Sequence, residues 1–251
     1  MKIDFFYWGC MCPISDEIIQ TLKKYDHAFD IFFHDFTEAP ALAKKEKIFF
    51  PFLTVVNEKR RFYSPVSEKF LQSLLSGEIP TETPYKPALG ATEKKADIRQ
   101  ITEKNYNLAA QCTGRKHCLG CERKAKMFSY GADGLIGFLN ADGEHLLGGV
   151  ECCPSLRVPY DIPKDKGTAF LTCLYLSDGQ FDYKTAPLRA LEQHLAGQYR
   201  RLAVISDEDG IFPNGNLAFF ERVGYQDRGV VFEDEYCRLH FLSKELTVSI
   251  Q

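Results

Sequence analysis

The first 78 residues alternate between short apolar runs and stretches in which apolar residues recur at helical spacing. Pro13 begins one such stretch, whose apolar residues from Ile14 to Tyr25 fall on one face of a helix. Residues 59–63 follow the last apolar run closely enough to form its hairpin partner. The predicted strands are 3–8, 29–33 and 52–56, and further helices are predicted at 39–47 and 67–75. This order, β-α-β-α-β-α, is typical of a small α/β domain.

The pattern breaks between residues 79 and 94, where Pro80, Pro84 and Pro87 are interleaved with Thr and Glu. Such a composition cannot bury a core and is typical of an extended linker. The sequence therefore predicts a domain at 1–78, a proline-rich linker at 79–94 and a second domain at 95–251.

The second domain begins with a strand and a helix and then turns to hairpins. Two apolar stretches, 135–139 and 145–151, flank Asn140-Ala141-Asp142-Gly143, which is a turn signal. Pro187 lies in the first turn of a predicted helix with an apolar stripe. The other predicted strands are 98–102, 168–176, 202–206, 230–232 and 237–242, and the other predicted helices are 106–111 and 216–223. This order predicts an α/β domain with a mixed sheet.

One run near the C-terminal end resembles a family signature. It reads Asn214-Gly215-Asn216-Leu217-Ala218-Phe219-Phe220-Glu221-Arg222-Val223-Gly224-Tyr225. An Asn, a helix with Ala and aromatic residues, and Gly before an aromatic residue resemble the GNAT N-acetyltransferases, as does the order of elements. Residues 112–128 and 170–180 resemble the YoaP-like acetyltransferases, which join a GNAT domain to a thioredoxin-like one in the opposite order. The resemblance implies a GNAT-like fold over 95–251 and acyl-CoA-dependent N-acetyl transfer.

The resemblance also implies where acetyl-CoA binds. In the family, a splayed strand holds the pantetheine, and a Gly-rich turn directs backbone N–H groups at the diphosphate. The matching strand is 168–176. In the matching turn, Gln180 to Ala186, Tyr183 and Thr185 replace glycines and Asp182 adds negative charge, which Lys184 partly compensates. We therefore expect weak acetyl-CoA binding. The implied binding residues are Leu174, Tyr175, Leu176, Gln180, Tyr183, Lys184, Thr185, Ala186, Asn216 and Phe220.

The catalytic roles implied by the family are open at two positions. Family members often use a Tyr in the late helix to protonate the departing thiolate, but Phe220 stands there and has no proton to give. Tyr225 and Tyr175 are the alternatives. Glu151, near the end of the second hairpin strand, is the candidate base, followed by His145. The competing interpretation of Glu151 is an ordinary surface glutamate.

The first domain carries two thiols at a strand-to-helix junction, Cys10 and Cys12. Because Pro13 is predicted at the first helical position, Cys12 becomes the N-cap, where the helix end stabilises a thiolate and lowers its pKa. Cys12-Pro13-Ile14-Ser15, with Pro51 before a later strand, resembles the thioredoxin-like fold, in which such a proline is cis and lies beside the thiol. The resemblance implies a catalytic Cys12, with Cys10 as an alternative resolving thiol or metal ligand. Thiols without a role are the competing interpretation.

A third group of cysteines has spacings that zinc sites use. Cys118 and Cys121 form a C-x-x-C pair, Cys112 precedes them, and Cys152 and Cys153 follow about thirty residues later. Three of these with one of the last two would complete a tetrahedral set for Zn²⁺. Free thiols are the alternative. Cys173 and Cys237 lie in apolar strands and are predicted core residues.

Composition and charge exclude some classes of binding partner. The net charge of −3 and the scattered basic pairs exclude a general attraction to nucleic acid or anionic membranes. The longest apolar run is too short to span a bilayer, and the first residues lack a signal-peptide pattern, so we expect a cytoplasmic protein. Two functions stay open: an acetyltransferase acting on a small amine, or a thiol-redox or metal-binding protein that uses the GNAT fold as a scaffold. The oligomeric state is not predicted.

Overall fold

The computed structural model describes residues 1–9, 11–86, 89–113, 122, 124–125, 127–128, 135–176, 180–211 and 213–247. Contacts divide the chain into two compact units. Unit 1 comprises Met1–Tyr85 with Pro159–Asp161, and unit 2 comprises Lys86–Val158 with Ile162–Gln251. The change between units at Tyr85 and Lys86 falls inside the predicted linker.

Unit 1 has a four-stranded sheet in the order β2-β1-β3-β4. Strand β1 is parallel to β2 and antiparallel to β3, and β3 is antiparallel to β4. Its elements are β1 (Lys2–Tyr7), α1 (Ile14–Lys23), β2 (Asp30–Asp35), α2 (Pro40–Lys45), β3 (Phe52–Val56), β4 (Arg60–Phe62) and α3 (Glu68–Leu75). The predicted element order, including the hairpin partner, is confirmed. The thioredoxin-like identity of unit 1 stays a prediction.

Unit 2 has a seven-stranded mixed sheet in the order β10-β11-β9-β8-β7-β6-β5. Every neighbouring pair is antiparallel except β8 and β9. The strands are β5 (Asp97–Gln100), β6 (Ile136–Asp142), β7 (His145–Pro154), β8 (Thr168–Leu176), β9 (Arg201–Asp207), β10 (Gln226–Glu233) and β11 (Arg238–Glu245). The α-helices that the structure describes without gaps are α4 (Tyr106–Ala109), α5 (Thr185–Leu195) and α6 (Leu217–Arg222). The predicted mixed α/β domain is confirmed.

Two hydrophobic clusters cover opposite faces of the second sheet. The larger packs α5 and α6 against strand residues that include Leu171 and Leu174, which share a face because the register of β8 shifts between them. The smaller packs α4 against the other set, which includes Leu139 and Tyr175. Because successive strand residues point to opposite faces, Leu174 and Tyr175 belong to different clusters. Each side of β8 is therefore a distinct environment.

Residues 92–94 attach the start of unit 2 to the turn before α5. Asp182 donates its backbone N–H to the Thr92 carbonyl at 2.9 Å, and Lys94 donates to the Asp182 carbonyl at 3.0 Å. Gly90 is necessary for this approach, since a Cβ there would lie 2.3 Å from the Phe181 backbone. We call residues 92–94 the leading segment. It fixes the backbone of Asp182 from one side.

Among the residues that the structure describes, no helix combines the length and the apolar character needed to cross a membrane.

Candidate active site

The two parallel strands of unit 2 stop pairing part-way along their length, and we call the unpaired ends of β8 and β9 the wedge. Strands β8 and β9 pair at three positions, the last being Phe170 with Ala203. Further along, the Asn214 side chain bridges the strands: its Oδ1 accepts the Leu174 N–H at 3.1 Å, and its Nδ2 donates to the Ile205 carbonyl at 2.9 Å. Leu174, predicted to bind pantetheine, thus already gives its N–H to Asn214. The wedge lies at the strand ends beyond this bridge.

A buried cluster of polar side chains lies beside this wedge, on the α4 face of β7 and β8. Glu151 is fully buried on β7. Its Oε1 accepts from Lys124 Nζ at 2.5 Å and from the Tyr175 hydroxyl at 2.9 Å. Its Oε2 is buried and has no hydrogen-bond partner among the described residues. Glu151, Lys124 and Tyr175 are called the buried triad below.

Electrostatics favour a charged lysine and a protonated tyrosine in the buried triad. Burial alone would lower the pKa of Lys124, but the adjacent Glu151 carboxylate outweighs it and the net direction is upward. Burial and the same carboxylate raise the pKa of Tyr175 well above its usual value. Tyr175 is therefore a proton donor to Glu151 at neutral pH.

Glycines on two strands make room for the buried triad. A Cβ on Gly149 would lie 2.5 Å from the Tyr175 ring, and a Cβ on Gly137 would lie 3.1 Å from the Cγ of Glu151. The sequence analysis identified Glu151 and Tyr175 but missed Lys124. The available signal was the spacing of Lys124 and Met127, which are both 2% exposed in helical backbone.

In the turn before α5, the Asp182 carboxylate accepts hydrogen bonds from the start of the helix. The Oδ1 atom of Asp182 accepts the backbone N–H groups of Lys184 and Thr185 at 3.0 and 3.1 Å. Its Oδ2 accepts the Thr185 hydroxyl at 2.8 Å and lies 3.4 Å from Arg222. A diphosphate needs these same N–H groups. The residues of this turn therefore do not fit the diphosphate of acetyl-CoA, because the Asp182 carboxylate already accepts these N–H groups. The predicted obstruction by the bulk of Tyr183 and Thr185 stays a prediction.

Lys184 points into the protein and not toward solvent. It is 1% exposed, and its Nζ lies 5.9 Å from the centre of the Phe219 ring. Burial lowers its pKa to about 8, against opposing effects of Cys173 and Asp182. The predicted compensation by Lys184 for a phosphate is therefore not supported. Of the other predicted turn residues, Tyr183, Thr185 and Ala186 are buried and Gln180 is exposed.

The candidates near the late helix lie in the core. Phe220 is fully buried, and Tyr225, 3% exposed, packs edge-on against it at 5.2 Å between ring centres. Burial and the nearby Glu192 raise the pKa of Tyr225. Asn216 is the N-cap of α6, where its Oδ1 accepts the Phe219 N–H at 2.9 Å. The catalytic role of Tyr225 and the binding roles of Asn216 and Phe220 stay predictions.

Comparison with known proteins finds similarity in structure alone. No family model matches the sequence, and no curated protein matches it. The aminoglycoside 6'-N-acetyltransferase of Enterococcus faecium is 12% identical, with a TM-score of 0.46 over 62% of this chain and 100% of its own. A putative GNAT-family acetyltransferase of Desulfovibrio desulfuricans is 16% identical, with a TM-score of 0.44 over 60% of this chain and 99% of its own.

A third similar structure is the ribosomal-protein-alanine N-acetyltransferase of Brucella melitensis, at 16% identity and a TM-score of 0.43 over 60% of this chain and 100% of its own. At such identities and TM-scores, the function has to be argued from the residues of this chain.

The first unit places Cys12 next to the start of α1. The predicted N-cap role of Cys12 is wrong: the N-cap is Pro13, and Cys12 lies one residue before it. Its φ is +57°, which is unusual for a residue with a side chain and stores backbone strain. Ser15, in the predicted resolving position, is fully buried, and its hydroxyl has no hydrogen-bond partner among the described residues. Cys10 lies outside the described residues.

The predicted zinc ligands do not converge where they are described. Cys152 packs in the α5 face of the sheet, whereas Cys112 packs against the cluster on the α4 face. Burial raises the pKa of the Cys152 thiol well above its usual value. Cys153 is buried as well, and Cys118 and Cys121 lie outside the described residues. The described part of the chain contains no group of three metal-ligating side chains.

Proposed function

We propose that unit 2 transfers an acyl group from a pantetheine thioester to a small amine. The observation that carries this proposal is the buried triad, in which an ion-paired carboxylate keeps one oxygen that no described residue hydrogen-bonds, beside a tyrosine hydroxyl. A buried polar atom without a partner is costly and calls for a functional explanation. The wedge between β8 and β9 and the strand order, which resemble those of the GNAT acetyltransferases, support it.

The reaction transfers two protons, one to Glu151 and one from Tyr175. The amine nitrogen attacks the thioester carbonyl, so a C–N bond forms and the C–S bond breaks. Glu151 accepts the amine proton on Oε2, and Tyr175 donates its hydroxyl proton to the departing thiolate. Glu151 then releases its proton to solvent and the Tyr175 phenolate takes one up from solvent, which restores both groups for the next turnover.

Lys124 has a positioning role in this scheme. Its ammonium group donates to Oε1 of Glu151 and supplies the opposite charge that a buried carboxylate needs nearby. The acyl donor is a substrate of this reaction, and its diphosphate is not bound at the turn before α5.

The test measures thiol release from S-acetylpantetheine and from acetyl-CoA in the presence of a panel of small amines. We expect Glu151→Gln and Tyr175→Phe each to lower the rate by about 100-fold, as loss of acid–base groups does. Tyr199→Phe is the matched control, since it removes a tyrosine hydroxyl of the same unit that packs against the other hydrophobic cluster, away from the buried triad. Thermal melting establishes that each variant is folded. Full activity in both triad variants, or an inactive parent protein, would rule the proposal out.

A further inference from the structure

We propose that Asp182 is a built-in anion at the start of α5, which makes the site recognise the pantetheine part of a donor and ignore its diphosphate. This inference rests on the proposed function, because it concerns the donor of that reaction. It names Asp182 as a residue that determines donor specificity.

The donors at the start of α5 are almost all committed. Asp182 accepts the N–H groups of Lys184 and Thr185. Pro187, the third residue of α5, has no N–H to give. Of the four residues from 184 to 187, this leaves Ala186 with an N–H that Asp182 does not use. A helix start binds phosphate through several converging N–H groups, and this helix cannot present them.

Charge opposes a second anion at the same place. The Asp182 side chain is 4% exposed, and the cation next to it, Arg222, is itself 56% exposed at 3.4 Å. A diphosphate that approached the turn would face this carboxylate at short range. Lys184 adds a positive charge nearby, but it is 1% exposed with its Nζ 5.9 Å from the centre of the Phe219 ring, so it offers no hydrogen bond to a diphosphate at the surface.

The backbone of Asp182 cannot move aside without breaking other contacts. The leading segment accepts its N–H and donates to its carbonyl. Freeing the helix start would therefore require the side chain alone to rotate, with loss of its bonds to Lys184 and Thr185. The carboxylate is held there by the fold and does not depend on a ligand.

The experiment compares two donors on the full-length protein by titration calorimetry. Acetyl-CoA carries the diphosphate, and S-acetylpantetheine lacks it. For the parent protein we expect the two dissociation constants to agree within about threefold, because the diphosphate adds no net attraction. Asp182→Gly should lower the dissociation constant of acetyl-CoA about tenfold, because the N–H groups of Lys184 and Thr185 can then donate to the charged diphosphate. It should leave the dissociation constant of S-acetylpantetheine unchanged.

Two further variants separate charge from space. Asp182→Asn keeps the size and one acceptor oxygen, so its affinity for acetyl-CoA should lie between those of the parent and Asp182→Gly, and it guards against a glycine variant that fails to fold. Asp165→Asn is the matched control, since Asp165 also accepts a backbone N–H and a Thr hydroxyl, at a turn before β8. It should change neither affinity.

The outcomes distinguish the two proposals. Acetyl-CoA binding to the parent at least ten times more tightly than S-acetylpantetheine would overturn the role of Asp182 and leave acyl transfer standing. Binding of acetyl-CoA by Asp182→Gly alone would support the role of Asp182 and contradict the proposed function of the parent. If no variant binds either donor, both proposals are wrong.

Discussion

Lys184 is a single residue whose burial has a measurable thermodynamic consequence. It is 1% exposed and has a lowered pKa of about 8, against an ordinary value of 10.5. Among the described residues no carboxylate forms an ion pair with it. The folded protein therefore bears the cost of a buried charge that the unfolded chain does not bear.

We expect Lys184→Met to stabilise the protein at pH 7 by about 1 to 3 kcal/mol, because methionine fills the space without a charge. Below pH 8 the lysine is charged in both states, so the difference between the parent and the variant is constant. From pH 8 to about 10.5 the folded state has lost its proton while the unfolded state keeps it, so the stability of the parent rises with pH. Above that range the advantage of the variant disappears.

Urea denaturation of both proteins between pH 6 and pH 11 tests this pattern. Lys104→Met is the control, since Lys104 is an exposed lysine of the same unit. It should shift the stability little at any pH. A Lys184→Met protein that is less stable than the parent at pH 7 would show that the ammonium group stabilises the fold instead.

The residues that form the buried triad show how far the sequence alone can lead. Glu151 and Tyr175 were identified because each lies at a defined place on a predicted strand. Their hydrogen bond was not predicted, because a strand pattern gives the face of each residue and not its partner on the next strand. Lys124 was missed for a related reason: lysine on a helix is ordinarily solvated, and only the packed structure shows its 2% exposure.

At the scale of elements, Asn216 explains why a short helix begins where it does. Helix α6 has six residues, too few to be stable without its cap and its packing. We expect Asn216→Ala to cost about 1 kcal/mol of stability and Asn216→Ser to cost little, because serine can also accept the Phe219 N–H. Ser67→Ala provides the comparison, since Ser67 caps α3 in the same way through the Phe70 N–H.

Chemical denaturation measures these losses of stability, and titration with S-acetylpantetheine measures the affinity for the acyl donor. A residue that only caps α6 should change stability and leave the donor affinity of the serine variant unaltered. If Asn216→Ser keeps its stability but loses donor affinity, the cap assignment is incomplete and the predicted binding role of Asn216 is supported.

Most elements of both units follow from hydrophobic periodicity, with shifts at their ends. Strand β7 is longer than predicted and includes Cys152 and Cys153, because an apolar pair continues a strand as readily as it ends one. The wedge could not be predicted in the same way. It depends on where β8 and β9 stop pairing, which the Asn214 bridge and packing across the sheet determine.

At the scale of the whole molecule, the reactivity of the cysteines tests the burial of individual thiols in both units. Cys12, Cys112 and Cys173 are half-buried, while Cys152, Cys153 and Cys237 are buried. We expect Cys12 to be alkylated faster than the three buried thiols, because it is accessible and lies next to the start of α1. Peptide mapping by mass spectrometry after timed iodoacetamide labelling, repeated at several pH values, gives the rate for each thiol.

Lysis under a reducing agent, which is removed before the iodoacetamide is added, keeps all thiols reduced. Labelling in urea gives the rate of each unfolded thiol as a reference. Equal protection of Cys12 and Cys237 relative to that reference would contradict the proposed accessibility of Cys12. Faster labelling of Cys152 than of Cys12 would contradict the packing of Cys152 in the core of unit 2.

The leading segment has a consequence for the timing of synthesis. Its bridge joins Glu93 to Asp182, which lies 89 residues later in the chain. At about 5–20 residues per second, a ribosome delivers that partner roughly 4 to 18 s after the leading segment has been made. During that interval Asn140 becomes available first, and its side chain binds the Ala96 N–H and the Lys94 carbonyl. We expect the side chain of Asn140 to hold residues 94–96, at the start of unit 2, until the turn at Asp182 has been synthesised.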